Sequence, residues 1–416
     1  MLIIGLCILL LAQSVCPPAL LGRLTAAILI AAALAWPTSG LPAFSGLFES
    51  TPSTALICII GAVIVMLRST RDAPLLALFG VIGGAIMVSA SDLVTLYLGL
   101  ELQSFALYLI AASAGSALAL TGALRYFFVG SLGSTLLLVG VGITYATTGT
   151  TSFSGLSALM SVSTAGEQAG LALVVAGLLF KIAAAPMHTW AAQVYESARY
   201  PIGVWLMVMP KLSIVTVLVL NPWVPNMLRL AALASLIVGC LVGLVQDRIK
   251  RLLTYSAVSH VGFLLMCSDP ASALFYLAIY SATVVLSFLV LDAFGVDRRA
   301  LLAGGLRSQP GLAVALIVAL FSMAGVPPLA GFYAKFTVLG GALAEGSTIL
   351  AFLGILSSVV SGFFYLRLVA HLAEARSSVP AAITAVPAYC TATLASALVL
   401  FGLNPEFIMT TAALLC

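Results

Sequence analysis

Three lysines and one glutamate stand inside long apolar runs: Lys181 in GLLFKIAAAP, Lys211 in VMPKLSIV, Lys335 in GFYAKFTVL and Glu101 in LYLGLELQSF. Charged residues make up only 7% of the chain, so each is conspicuous by its surroundings. A charge at mid-bilayer costs about 2.5–3.5 kcal/mol on insertion scales, and four cost about 10 kcal/mol before any pairing. An ionisable residue held at that cost ordinarily belongs to a proton relay or an ion path. Desolvation favours the neutral amine, and a nearby carboxylate favours the ammonium. A lysine between those two influences takes up or gives away a proton as its partner moves. Glu101 is expected to pair with Lys181. A static ion pair does not account for the whole set, because one acid cannot neutralise three lysines.

Histidines extend the list. His260, central in YSAVSHVGFLL, is placed to bridge Lys211 and Lys335, and an imidazole changes charge near neutral pH. His188 follows Pro186 and is either a relay member or a donor to carbonyls freed by a broken helix. His371, beside Glu374 and Arg376, reads as interfacial, as does Asp292. Tyr255, Ser256 and Ser259 can hold water, but small polar residues in membrane helices more often serve packing. Other chemistries are absent from the pattern. The seven cysteines are scattered without a CxxC pair, and the three histidines form no haem or metal motif. No phosphate-binding loop or dinucleotide fingerprint occurs. No cofactor is expected in this chain, and the dispersed basic residues give no nucleic-acid surface.

The elements that must position these residues are membrane helices. Of 416 residues, 62% are hydrophobic, and the mean hydropathy is +1.21, well above a soluble domain. Apolar runs bounded by charges, Pro and Gly predict fourteen spans: 2–16, 20–36, 54–67, 74–90, 92–113, 122–146, 169–195, 201–220, 227–246, 251–268, 271–294, 310–345, 348–373 and 381–403. Lipid offers no partner to open backbone, and alternating ten-residue strands are absent, so the fold class is an all-α polytopic membrane protein. The chain begins directly in an apolar segment, so no cleavable presequence is expected.

Fourteen crossings put both termini on one side. Thirteen basic residues then fall on the other: Arg23, Arg68, Arg71, Arg125, Arg199, Arg248, Lys250, Arg251, Arg298, Arg299, Arg307, Arg367 and Arg376, against Arg229 alone. The positive-inside rule therefore predicts termini on the periplasmic or intermembrane-space side. Spans 7 and 12 are over-long and interrupted, by Pro186 and by Pro327–Pro328 after Gly325. A mid-helix Pro breaks the ladder, and such breaks at membrane depth line wet cavities and transport sites. The two breaks lie five spans apart. Because five is odd, a repeat of that length re-enters from the opposite face, which predicts inverted repeats. The organisation read here is 1–70 for helices 1–3, 74–220 for a first repeat (helices 4–8), 227–373 for a second (helices 9–13) and 374–416 for helix 14.

Four passages carry a family resemblance: SASDLVTLYLGLELQSFALYLIAAS, GLLFKIAAAPMHTWAAQVYESA, RIKRLLTYSAVSHVGFLLM and MAGVPPLAGFYAKF. They resemble subunit 2 of the proton-pumping NADH–quinone oxidoreductase, respiratory complex I, and the layout agrees from span 4 to span 13. The resemblance implies a fourteen-helix antiporter-like subunit in which Glu101, Lys181, Lys211 and Lys335 occupy the Glu and Lys motif positions. It implies membrane-arm partners, including neighbouring antiporter-like subunits, and surrounding lipids. NADH, flavin, iron–sulfur clusters and quinone are expected in partner subunits. The chain departs from the pattern at VYESARYP, which inserts Arg199 where the family continues VYEGAP. Lean loops favour the mitochondrial inner membrane, with a bacterial plasma membrane as the alternative. An Mrp-type cation/proton antiporter subunit, a hydrogenase membrane subunit and a non-conducting assembly subunit are the rival readings.

Overall fold

A computed structural model describes residues 2–12, 17–36, 42–43, 46–49, 51–67, 73–159, 165–374, 388–404, 406 and 410. Arg68, Arg71, Arg376, Cys16, Cys416 and the start of the expected span 381–403 lie outside them. The described chain is helical almost throughout, because each apolar segment must satisfy its own backbone. In order, the helices are α1 (Leu2–Ala12), α2 (Pro18–Leu34), α3 (Ser53–Leu67), α4 (Ala73–Val88), α5 (Leu93–Ala112), α6 (Ala117–Thr148), α7 (Phe153–Leu159), α8 (Ala165–Lys181) and α9 (Ala191–Ser197). They continue with α10 (Tyr200–Leu220), α11 (Pro225–Leu244), α12 (Ile249–Leu265), α13 (Pro270–Phe294), α14 (Gly305–Ser308), α15 (Pro310–Ala324), α16 (Ala330–Ala344), α17 (Thr348–Ala373) and α18 (Ala388–Leu403). Two short strands, Pro42–Ala43 and Phe48–Glu49, pair antiparallel.

Among the described residues, six helices are long and apolar enough to cross a membrane: α5, α6, α10, α11, α13 and α17. Several others are apolar but shorter. The two interrupted runs explain part of the difference from fourteen full spans. The run 169–195 appears as α8 and α9 with a turn between, and the run 310–345 as α15 and α16.

The chain divides into two compact units. One comprises Met1–Ala183 with Met209–Leu228, the other Ala184–Val208 with Arg229–Ala413. In the first, Asp92 caps α5 by accepting from the Val94 and Thr95 N–H groups (2.7 and 3.3 Å) and itself accepts from Thr151. Ser116 caps α6 by accepting from Ala119 N–H. Such caps satisfy donors that a helix start leaves open. Helix α6 packs on α8 through glycines on both helices, which bring the two backbones together. In the second unit Asp269 caps α13 through Ser272 N–H, 2.8 Å. The apolar window of α13 is 89% buried, whereas that of α17 is 39% buried, so α13 is a core helix and α17 faces the surroundings.

Candidate functional site

In the first unit Glu101, on α5, and Lys181, the last residue of α8, form an ion pair with Nζ 3.8 Å from Oε1. The Lys181 side chain is 4% exposed and that of Glu101 20%. The ammonium donates to Ser104 Oγ at 2.9 Å and Tyr108 Oη at 3.1 Å. Glu101 Oε1 accepts a hydrogen bond from Ser134 of α6. Lys181 also stands at the carboxyl end of α8, where the helix dipole and open carbonyls favour a cation. The break is what puts it there: without one, Lys181 would be a mid-helix residue. Lys211, on α10 beside the intrahelical Pro210, belongs to the same unit and is 2% exposed. Close by in sequence, Ser213 accepts from the Gln103 amide at 2.9 Å.

The second unit repeats this logic. Lys335, 5% exposed on α16, donates to the Ala324 carbonyl that ends α15, 3.1 Å away. A lysine again meets the negative end of a half-helix. Its ammonium also lies 5.1 Å from the Phe263 ring centroid, a cation–π distance. Gly325 ends α15 with φ +84°, a conformation that favours glycine. Pro327 and Pro328 follow, joined by a cis bond, and Ser322 accepts from Gly331 N–H at 3.2 Å to satisfy backbone across the gap. At the other break, Pro186 follows a cis bond, and the Ala185 N–H, which belongs to this unit, donates to Ser235 of α11 at 2.8 Å. His188, in that turn, packs its ring against Tyr255 at 6.1 Å between centroids.

His260 is buried in α12, with Nδ1 2.7 Å from Tyr276 Oη and Nε2 3.5 Å from Tyr365 Oη. Tyr365 in turn bonds Ser256, one turn earlier on α12. One ring nitrogen of a neutral imidazole donates and the other accepts, so this histidine is held on both sides by groups that exchange protons. Sequence reasoning picked out Glu101, the three lysines and His260, and named Ser256, but missed the other hydroxyls around them and the buried Asp92 and Glu167. Glu101, Ser104 and Tyr108 fall at i, i+3 and i+7, one face of α5, and that spacing was the available signal. Tyr276 and Tyr365 carried none, because their approach to His260 depends on how α13 and α17 pack.

An interrupted-helix membrane fold with buried lysines at half-helix ends is the architecture of an ion-translocating membrane subunit. The family described as NADH:quinone oxidoreductase/Mrp antiporter, transmembrane region, matches residues 90–361, and this chain belongs to it. Among its relatives, NADH-ubiquinone oxidoreductase chain 2 of Rhizopus oryzae is 38% identical over 392 residues, covering 80% of this chain and 75% of that one. NADH-quinone oxidoreductase subunit N of Rhodospirillum rubrum is 38% identical over 364 residues, covering 79% and 75%. A chain of respiratory complex I from Thermus thermophilus, solved with bound aureothin, superposes with TM-score 0.89 at 28% identity, covering 98% of this chain and 97% of that chain. A chain of the Mrp complex from a Dietzia species superposes at 0.85 with 18% identity, covering 100% and 95%, a likeness of fold.

Proposed function

We propose that this chain is the subunit 2 (subunit N) component of a proton-pumping NADH–quinone oxidoreductase, moving protons while its partners carry electrons. The observation that carries the reading is the burial of Lys181, Lys211 and Lys335 at 4%, 2% and 5% exposure in a chain whose relatives bear that name. NADH, flavin, iron–sulfur clusters and quinone belong to other subunits in this reading, and the neighbours are membrane-arm subunits and lipid. Fourteen crossings in two inverted five-helix repeats, 74–220 and 227–373, flanked by 1–70 and 374–416, are part of the same proposal. So are the mitochondrial inner membrane, with a bacterial plasma membrane as the alternative, and termini opposite the Arg248–Arg251 connection. Mrp-type antiport is the second reading, favoured by the shared fold.

The relay is Glu101, Lys181, Lys211, His260 and Lys335, with water between them and His188 as a further member. Pro186, Pro327 and Pro328 keep the helices open where carbonyls hold that water. With Glu101 beside it, Lys181 is stabilised as an ammonium. When a charge change in a neighbouring subunit draws Glu101 away, the buried amine yields its proton towards Lys211. Each charge carried across works against about 2.3 kcal/mol per 100 mV.

Two experiments test this. Co-purification with quinone-reductase subunits is expected, and recovery with antiporter subunits instead would replace the reading with Mrp-type transport. In sealed vesicles, Glu101→Gln and Lys211→Ala complexes are expected to transfer electrons with a lowered proton-to-electron ratio. A wild-type ratio in both would leave only a structural role for these charges.

A further inference from the structure

We propose that Ser134 and Tyr108 are positioning residues that hold the Glu101–Lys181 pair in a separated state. The inference rests on the proton-translocating role above and concerns how its first pair is set. At 3.8 Å the carboxylate and ammonium attract each other but share no hydrogen bond. Each is instead held by neutral hydroxyls. The Lys181 ammonium spends two of its three donors on Ser104 and Tyr108. The very oxygen that faces it, Glu101 Oε1, takes its hydrogen bond from Ser134.

Ser134 has one proton and two acceptors within reach. The second is the Gly130 carbonyl, 3.1 Å away, one turn earlier on α6. With its proton on Glu101, Ser134 tethers the carboxylate to α6. With its proton on Gly130, the hydroxyl turns a lone pair towards Glu101, and the carboxylate moves onto Lys181. That single rotation gives the pair two discrete arrangements.

The same turn of α6 admits the other holder. Gly130 has no side chain, and a Cβ built there would lie 2.8 Å from Tyr108 Cζ and 3.1 Å from Cε1. The phenol therefore reaches Lys181 only because residue 130 is glycine. Edge contacts with Tyr126 and Phe127, at 4.7 and 5.7 Å between centroids, fix the ring in that position. One helical turn thus sets both halves of the pair: Gly130 seats the phenol that holds the ammonium, and Ser134 holds the carboxylate.

The test uses the intact complex in sealed vesicles carrying Ser134→Ala, Ser134→Thr or Tyr108→Phe. The readouts are uncoupled electron transfer, the proton-to-electron ratio, and the infrared carboxylate band of Glu101, isolated by subtracting the spectrum of Glu101→Gln. A hydrogen bond to a charged group shifts an equilibrium on the order of tenfold to a hundredfold. Ser134→Ala is expected to close the pair by that factor, move the band as an ammonium replaces a neutral donor, and lower the ratio with electron transfer intact. Ser134→Thr should restore band and ratio. Tyr108→Phe, close to isosteric, should move the band in the same direction, because the freed ammonium advances on Glu101; it decides the matter alone if Ser134→Ala does not assemble. An unmoved band in Ser134→Ala or Tyr108→Phe, with pumping still lost in Glu101→Gln, would overturn this inference and leave the relay standing. A wild-type ratio in Glu101→Gln would instead remove the relay itself.

Discussion

Gly177→Ala, a single methyl on α8, should disturb both stability and pumping. A Cβ at Gly177 would lie 2.7 Å from the Gly133 carbonyl oxygen, 2.7 Å from Leu137 Cβ and 2.9 Å from Leu137 N. Backbone atoms of α6 cannot swing aside as a side-chain tip can. Carbon contacts settle near about 3.5 Å, so α8 must retreat from α6 by about 0.8 Å. Overpacking of this kind costs about 1–3 kcal/mol. Lys181 is one turn further along α8 and moves with it. Starting from 3.8 Å, a retreat of that size takes its separation from Glu101, on α5, to at most about 4.6 Å, the value if the shift lies along the line between them. At that limit, with an effective dielectric constant of about 20, the attraction falls from about 4.4 to about 3.6 kcal/mol, which is about fourfold in the balance between paired and separated states. The complex should therefore melt at a lower temperature and show a changed proton-to-electron ratio with electron transfer retained. Gly142→Ala, on the same α6 but with open space around its Cβ, is the control and should match wild type. If Gly177→Ala and Gly142→Ala behaved alike in melting and pumping, backbone contact between α6 and α8 would not be what seats Lys181.

Two further outcomes are expected. Glu196, at the end of α9, pairs with both Arg248 and Arg251, so Glu196→Ala should loosen α9. The arginines are 53% and 44% exposed, so the loss should be about 1 kcal/mol and should shrink in high salt, read as a salt-dependent drop in melting temperature; a salt-independent drop would assign Glu196 a packing role. In a variant whose only cysteine is Cys416, an impermeant thiol reagent should react from the face opposite Arg251, and reaction from the same face would refute the fourteen-crossing topology.

The three buried lysines were legible in the sequence, because hydropathy exposes a lone charge in an apolar run. Asp92 and Glu167, also buried, lie near the ends of their runs and were not singled out. Lys181, Lys211 and Lys335 are all buried, and the runs around Pro186 and Pro327–Pro328 are interrupted where a missing N–H and a ring clash forbid a continuous ladder. Membership of a membrane-subunit family was equally legible, since the four motif passages surround those same residues. Hydropathy could not give helix lengths: it merged α8 with α9 and α15 with α16, since an apolar turn reads like an apolar helix. It also overlooked α7, too short for any window. What only the tertiary structure decided is which neutral groups surround each charge. Ser134 meets Glu101 across 33 residues and Tyr108 meets Lys181 across 73, while Tyr365 reaches His260 across 105. Serines and tyrosines are common in membrane helices and cost little wherever they point, so, apart from the shared face of Glu101, Ser104 and Tyr108 on α5, their positions in the sequence carry no marker of a partner. Their role follows from helix packing: Gly130 leaves room for a phenol, and glycines between α6 and α8 set the depth at which a lysine meets it.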